Sequence, residues 1–219
     1  MNRAELKAKA REQIKGKIGI LFVISFIIGA ISAGAGMLLS LIPAGAAIAS
    51  VIITPALTLS LVRVYLMLNK GWTPEAKDSF SGFDDFFSAF KVTFLVGLFT
   101  FLWSLLFIIP GIIKGISYSM SMYILAENKG KSAMECINES KAMTEGHKME
   151  LFVLALSFIG WILLGLVTCG IAYIWVNPYM NATFVNAYRE LNPIVPNEID
   201  FANDVATESA QPEEQSEEN

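Results

Sequence analysis

The sequence predicts an all-α polytopic membrane protein: a six-helix transmembrane bundle built from three helical hairpins, with short interfacial helices. Three observations lead there. First, the charges leave long gaps. No Asp, Glu, Lys or Arg occurs from Ile18 to Val62, a run of 45 residues, nor from Leu151 to Tyr188. Between Val92 and Ala126 Lys114 is the only one. About 20 apolar residues of helix cross the hydrocarbon layer, so the first gap suits a hairpin of two spans better than one helix. Second, these runs are continuously apolar. A barrel needs apolar and polar residues in alternation, so helices remain as the backbone that satisfies itself in lipid. Third, Lys and Arg fall on alternate connections. Six precede the first run, three lie in residues 69–91, four in 127–149, and Arg189 follows the last run, whereas 39–46, 110–111 and 168–169 have none. That asymmetry predicts six spans with both termini cytoplasmic.

The composition agrees. Of the 219 residues 54% are hydrophobic, the mean hydropathy is +0.52, and only 16% are charged, against about a quarter in ordinary soluble domains. The apolar run after the basic start is far longer than the core of a cleaved signal peptide and reads as an internal signal-anchor.

In chain order, residues 1–17 form a basic cytoplasmic or interfacial segment. Ala4, Leu6, Ala8, Ala10 and Ile14 make a loose stripe that suits a short helix held against anionic headgroups; a solvated basic tail is the alternative. The transmembrane domain occupies 18–191, with spans at about 18–38, 47–68, 92–109, 112–126, 150–167 and 170–188. Ser40–Ala46, with Pro43 and Gly45, makes the first turn. Pro55 lies in the second span, where a missing donor and a ring clash kink a helix. Arg63, near the end of that span, is within reach of the headgroups by snorkelling. In the 69–91 connection, Phe80, Phe83, Phe86, Phe87 and Phe90 recur at helical intervals opposite Asp84 and Asp85. The pattern predicts a short helix flat on the membrane, or one packed on the protein itself. Pro110-Gly111 ends the third span. Residues 192–219 hold eight acids and no Lys or Arg, a composition that predicts a disordered acidic cytoplasmic tail.

The hairpins read as a threefold repeat. Leu21-Phe22-Val23 matches Leu151-Phe152-Val153, Lys17, Lys91 and Lys148 each stand at the start of an odd-numbered span, and in two even-numbered spans a proline precedes a tyrosine by ten positions (Pro55 to Tyr65, Pro178 to Tyr188).

Few residues suggest chemistry. Lys114 is the charge inside a span; it snorkels to the outer surface, pairs with a phosphate or carboxylate there, or bonds a neighbouring helix. Asn177 and Asn181 share a helix face beside Pro178. Their amides need partners in hydrocarbon, which bonds across the bundle or a polar cavity would supply. Thr54 beside Pro55 is the corresponding point of the second span. Together Lys114, Asn177, Asn181 and Thr54, with the kink residues Pro55 and Pro178, are the candidate polar path or ligand contacts. Gly111 with Gly115, Gly29 with Ala33 and Ala30 with Gly34 are small pairs that favour close helix packing. His147 is an isolated interfacial residue. Cys136 and Cys169 fall on opposite sides of the membrane and form no redox or metal motif. No nucleophile elbow, phosphate loop, dinucleotide fingerprint or HExxH occurs. No catalytic residue, metal or cofactor is therefore expected, and the basic residues flank spans rather than forming a nucleic-acid site.

Ile109-Pro110-Gly111-Ile112, Tyr123-Ile124-Leu125-Ala126-Glu127, Ser140-Lys141-Ala142-Met143 with Gly146-His147-Lys148, and Pro178-Tyr179 through Tyr188 occur in this order. In these pieces, and from about Leu6 to Leu191, the chain resembles an uncharacterised family of integral membrane proteins from Gram-positive bacteria, defined only as a domain of unknown function. The resemblance implies a bacterial plasma membrane protein with about six spans and supplies no activity. More distantly the chain is similar to the membrane domains attached to some glycerophosphodiester phosphodiesterases, which implies lipid- or envelope-related work.

The expected role is a non-enzymatic scaffold or sensor that binds membrane lipids, a membrane protein partner or its own copies. The alternatives are a small transporter component with a path near Pro55 and Pro178, and a lipid-modifying enzyme. A water-accessible path beside Asn177 and Asn181 would favour transport, and a dry, bonded interface would favour the scaffold.

Overall fold

The computed structural model describes residues 2–39, 45–168, 170 and 172–192. The described residues are helical, with no strand among them. Five helical stretches are long and apolar enough to cross a membrane: Ile18–Leu38, Val51–Asn69, Phe86–Leu106, Ile108–Glu127 and Lys148–Val167. This is a multi-pass membrane protein.

The chain runs α1 (Arg3–Ile14), α2 (Ile18–Leu39), α3 (Gly45–Asn69), a 3₁₀ turn at Ala76–Phe80, α4 (Phe86–Leu106), α5 (Ile108–Tyr118) and α6 (Ser121–Glu127). After these come α7 (Ala133–Met143), α8 (Lys148–Leu156), α9 (Ile159–Val167) and α10 (Tyr173–Leu191). Consecutive long helices pack side by side, α2 on α3, α4 on α5 and α9 on α10, while α1 lies on α10 and α7 on α4 and α6. α3 is central: 61% of its membrane window is buried, against 11% for α2 and for α4.

The two ends of the bundle differ. Where α3, α6 and α10 finish, a dense core joins them to α1, α7 and the starts of α2, α4 and α8. Tyr65, Tyr188, Ile124, Leu125, Leu21, Leu154 and Phe158 are all fully buried there. At the opposite end large apolar side chains face outwards, among them Phe26, Phe101, Leu105, Ile108, Leu163 and Val167. That belt suits lipid, where exposed apolar surface carries no penalty.

Several boundaries move from those the sequence predicts. The helix that carries the third predicted span begins at Phe86, so Phe86, Phe87 and Phe90 belong to α4 rather than to a separate surface helix. The break between α4 and α5 falls at Phe107, whose backbone is extended (φ −156°, ψ 141°). Pro110 lies in the first turn of α5, where its missing N–H leaves no intrahelical bond unmade. α5 and α6 make one stretch interrupted at Ser119–Met120, and α8 and α9 make another interrupted at Ser157–Phe158. The helix in 1–17 forms, with Leu6, Ala10 and Ile14 buried four residues apart on α10. Most of the Ser40–Ala46 turn, Cys169, and the acidic tail beyond Asn192 lie outside the described residues.

α7 starts at an explicit cap. Ser132 Oγ accepts from the Glu135 N–H at 3.3 Å, and the Glu135 carboxylate accepts from the Ser132 N–H at 2.8 Å, a capping box. Ser132→Ala is expected to cost about 1 kcal/mol of helix stability, read as faster amide exchange in the first turn of α7. The bonds from the Ser132 backbone and hydroxyl hold the Glu135 carboxyl below its ordinary range, with Lys131 adding to them. A depressed folded pKa means this contribution is present above the unfolded pKa and fades as pH falls through the folded one. Protection of α7 should therefore weaken only on acidification.

Candidate functional site

Two apolar clefts open on the lipid-facing half. One, of about 580 Å³, lies between α3 and α4 and is lined by Val51, Thr54, Pro55, Phe90, Thr93, Phe94, Gly97, Leu98 and Phe101. The other, of about 460 Å³, lies between α2 and α10, from Phe22, Ser25 and Phe26 across to Tyr173, Ile174, Asn177 and Pro178. Each contains a proline inside its helix, Pro55 in α3 and Pro178 in α10.

The sequence-derived candidates are thus divided. Thr54 and Pro55 share the first cleft, and Asn177 and Pro178 the second. Asn181 Nδ2 donates to the Asn177 carbonyl oxygen at 2.9 Å and to Asn177 Oδ1 at 2.6 Å. Asn181 is thus bonded to Asn177 within α10 by an i, i+4 bond rather than across the bundle. Lys114 lines neither cleft; its ammonium lies 4.8 Å from the centroid of the Trp103 ring, a cation–π contact between α5 and α4. A Cβ on Gly111 would come within 2.1 Å of Ser104 Oγ, so Gly111 does serve close packing of α4 and α5. At Gly29 and Gly34 an added Cβ meets nothing within 4 Å; these two do not bring helices together.

The polar groups gather instead at the buried end. Glu127, closing α6, accepts from the Tyr188 hydroxyl at 2.8 Å and from Arg189 Nη1 at 3.1 Å, with Arg189 Nη2 on its other oxygen and Lys70 Nζ at 3.9 Å. Asn192 Nδ2 donates to the same tyrosine oxygen at 3.0 Å. On α3, Arg63 donates to the Ser81 carbonyl and to Asp85. Asn69 Nδ2 donates to Asn186 Oδ1 at 2.6 Å, and Asn186 Nδ2 reaches the Leu6 carbonyl at 3.3 Å. Ser140 Oγ donates to the Ser117 carbonyl at 2.8 Å and accepts from the Met120 N–H at 3.1 Å, pinning α7 to the break between α5 and α6. Apart from the Asn192–Tyr188 bond, which closes α10 on itself, these bonds join separate elements, and together they tie the bundle at one end. α1 is held there too. Lys7 lies over the Phe158 ring and Arg11 over the Tyr179 ring. Burial, and then the nearby Arg11 and Arg3, hold the Lys7 ammonium below its ordinary pKa.

The sequence profile of a family described as a protein of unknown function, DUF975, matches residues 1–117 and 105–193. The chain belongs to the DUF975 family. Neither the curated proteins nor the solved structures give a match to it. The matched residues take in all ten α-helices found among the described residues of this DUF975 protein.

Among the described residues of the DUF975 chain, no group of three or more His, Cys, Asp or Glu gathers as a metal site would need. His147 Nδ1 lies 2.8 Å from Glu150 Oε2, at the start of α8 and on the surface. Sequence reasoning missed Asp85, Glu127 and Arg189 as partners. One signal was present: Glu127 and Arg189 are opposite charges that each end an apolar run.

Proposed function

We propose that this DUF975 protein is a six-span scaffold or sensor of the bacterial plasma membrane, with both termini cytoplasmic, that binds lipid or a membrane protein partner without catalysis. α10 supplies the sixth span. Its 19 residues rise about 28 Å, enough to cross, although its asparagines and the Arg189-Glu190 pair lower its hydropathy. The basic residues of α1, of 69–91 and of 127–149 then share the cytoplasmic side, as the positive-inside rule requires.

One observation carries the reading. Glu127 with Tyr188 and Arg189, Arg63 with Asp85, and Asn69 with Asn186 bond one another at the buried end, while both clefts in the lipid-facing half are walled almost wholly by apolar atoms. A solute path needs polar lining through the hydrocarbon depth, and Asn181 turns its amide onto Asn177 within α10 rather than into such a path. The test is purified protein in sealed liposomes, assayed for passage of protons, Na⁺, K⁺ and phosphate. Rates equal to those of empty liposomes are expected, and gradient-driven uptake would favour the transporter alternative.

A further inference from the structure

The two clefts are built from the same pattern. On α2 and α4, residues 22–29 and 90–97 both read Phe-x-x-(Ser or Thr)-Phe-x-x-Gly, and every position of that pattern lines its cleft (22 to 90, 25 to 93, 26 to 94, 29 to 97). On the opposite walls, Val51-x-x-Thr54-Pro55 of α3 corresponds to Ile174-x-x-Asn177-Pro178 of α10 (51 to 174, 54 to 177, 55 to 178). The surrounding structure keeps the same register. Leu21 and Ile24 of α2 are buried, as are Ala89 and Val92 of α4. Five residues beyond each proline a hydroxyl turns back on its own helix. Ser60 Oγ donates to the Ala56 carbonyl at 3.1 Å, and Thr183 Oγ1 donates to the Tyr179 carbonyl at 2.7 Å.

We infer that these clefts are two equivalent sites, each holding one acyl chain of a bilayer phospholipid. The inference rests on the partner- or lipid-binding reading above and names the ligand. Gly29 and Gly97 each face open space, so among the described residues nothing packs against either glycine in its cleft. Water does not fill them, because it needs two to four polar partners and the walls offer almost none. An unfilled gap would forfeit the dispersion contacts of its lining. Both clefts are continuous with the outward-facing belt, through the exposed Phe26 on α2 and the exposed Phe94, Leu98 and Phe101 on α4. That belt is where this multi-pass protein meets hydrocarbon, so an acyl chain enters sideways. Their volumes, about 580 and 460 Å³, fall in the range of sites that enclose small ligands, roughly 300–1,000 Å³. Lys91 directly follows Phe90, which lines the α3–α4 cleft, is exposed on the α4 face that carries Phe87 and Phe94, and forms no ion pair among the described residues. It supplies the charge for a phosphate headgroup there. The α2–α10 cleft has Val23 at the corresponding position.

The test uses full-length protein in nanodiscs of phosphatidylglycerol or phosphatidylcholine carrying a diazirine in one acyl chain, with labelled peptides read by mass spectrometry after illumination. Labelling of 22–33 and 90–101 is expected to exceed that of the more exposed 162–167 by about tenfold. Gly97→Leu should remove the excess on α4 and leave that on α2, and Gly29→Leu should do the reverse. Lys91→Gln should abolish the preference for phosphatidylglycerol at 90–101 only, and a preference that survives it overturns the headgroup assignment. Uniform labelling of all lipid-facing segments, or excess that survives both leucines in protein of unchanged melting temperature, overturns the acyl sites. Solute flux in liposomes would instead overturn the scaffold reading while the labelling pattern stood.

Discussion

Replacing Glu127 by alanine is expected to cost about 3–5 kcal/mol, the penalty for breaking a buried ion pair by removing one partner. Glu127 and Arg189 are only 16% and 11% exposed at their side chains. The alanine would strand the Arg189 guanidinium, leave the Tyr188 hydroxyl without its acceptor, and remove the anion facing Lys70. The loss is read as a fall in melting temperature in detergent or nanodiscs. A double-mutant cycle separates the pair from the packing around it. With Arg189→Ala added, the further cost should fall short of the single-variant cost by about 0.5–3 kcal/mol. Salt should change little, since the pair is shielded from solvent. Additive losses would mean that the two residues act independently and that the tie between α6 and α10 lies elsewhere.

Gly82→Ala should have the largest effect of any single added methyl. An alanine Cβ there would lie 2.0 Å from the Ala56 carbonyl oxygen and 2.7 Å from the Ser60 nitrogen, both on the α3 backbone. Neither can yield as a side-chain tip would, so the 75–85 segment must lift. Lifting breaks the Gly82 N–H bond to Ser60 Oγ at 2.8 Å and draws Ser81 and Asp85 away from Arg63. Overpacking costs about 1–3 kcal/mol, and exposing the Arg63 contacts adds to it. Hydrogen exchange should quicken across 79–85 before the rest of the protein responds. Gly97→Ala is the control. Its Cβ meets nothing within 4 Å, and alanine outranks glycine in a helix by about 1 kcal/mol, so no loss is expected.

The lipid-crossing helices were legible because continuous apolar runs and basic flanks report the bilayer directly. Their fine boundaries were not. Pro110-Gly111 reads as a turn, yet proline is tolerated in the first turn of a helix, and the break falls at Phe107, which carries no turn signature. The phenylalanine stripe from 80 to 90 looks like one helix because its spacing persists across Gly82, where docking on α3 interrupts the helical path. Arg63 reads as a snorkelling cation because Asp85, its partner, lies 22 residues away and only the fold brings them together. For Asn177 and Asn181 the shared face is legible in the sequence, whereas the bond from Asn181 back to Asn177 depends on side-chain rotamers that spacing does not fix. The proline-to-tyrosine spacing shared by α3 and α10 was the sequence trace of the paired clefts. Of their glycine-bearing walls, Gly29 reads in the sequence as a packing residue beside Ala33, and nothing in the apolar run around Gly97 sets it apart from ordinary packing.

The measurement that bears most directly on the whole arrangement is the sidedness of α10 relative to α1 and α7. Single cysteines placed at Glu12, Met134 and Glu190 in a cysteine-free chain would be probed with a membrane-impermeant thiol reagent. All three positions are exposed. Six spans with the polar end inside predict that all three are protected in intact cells and labelled in inverted vesicles. Labelling of the Glu190→Cys protein in intact cells, with the other two protected, would contradict it.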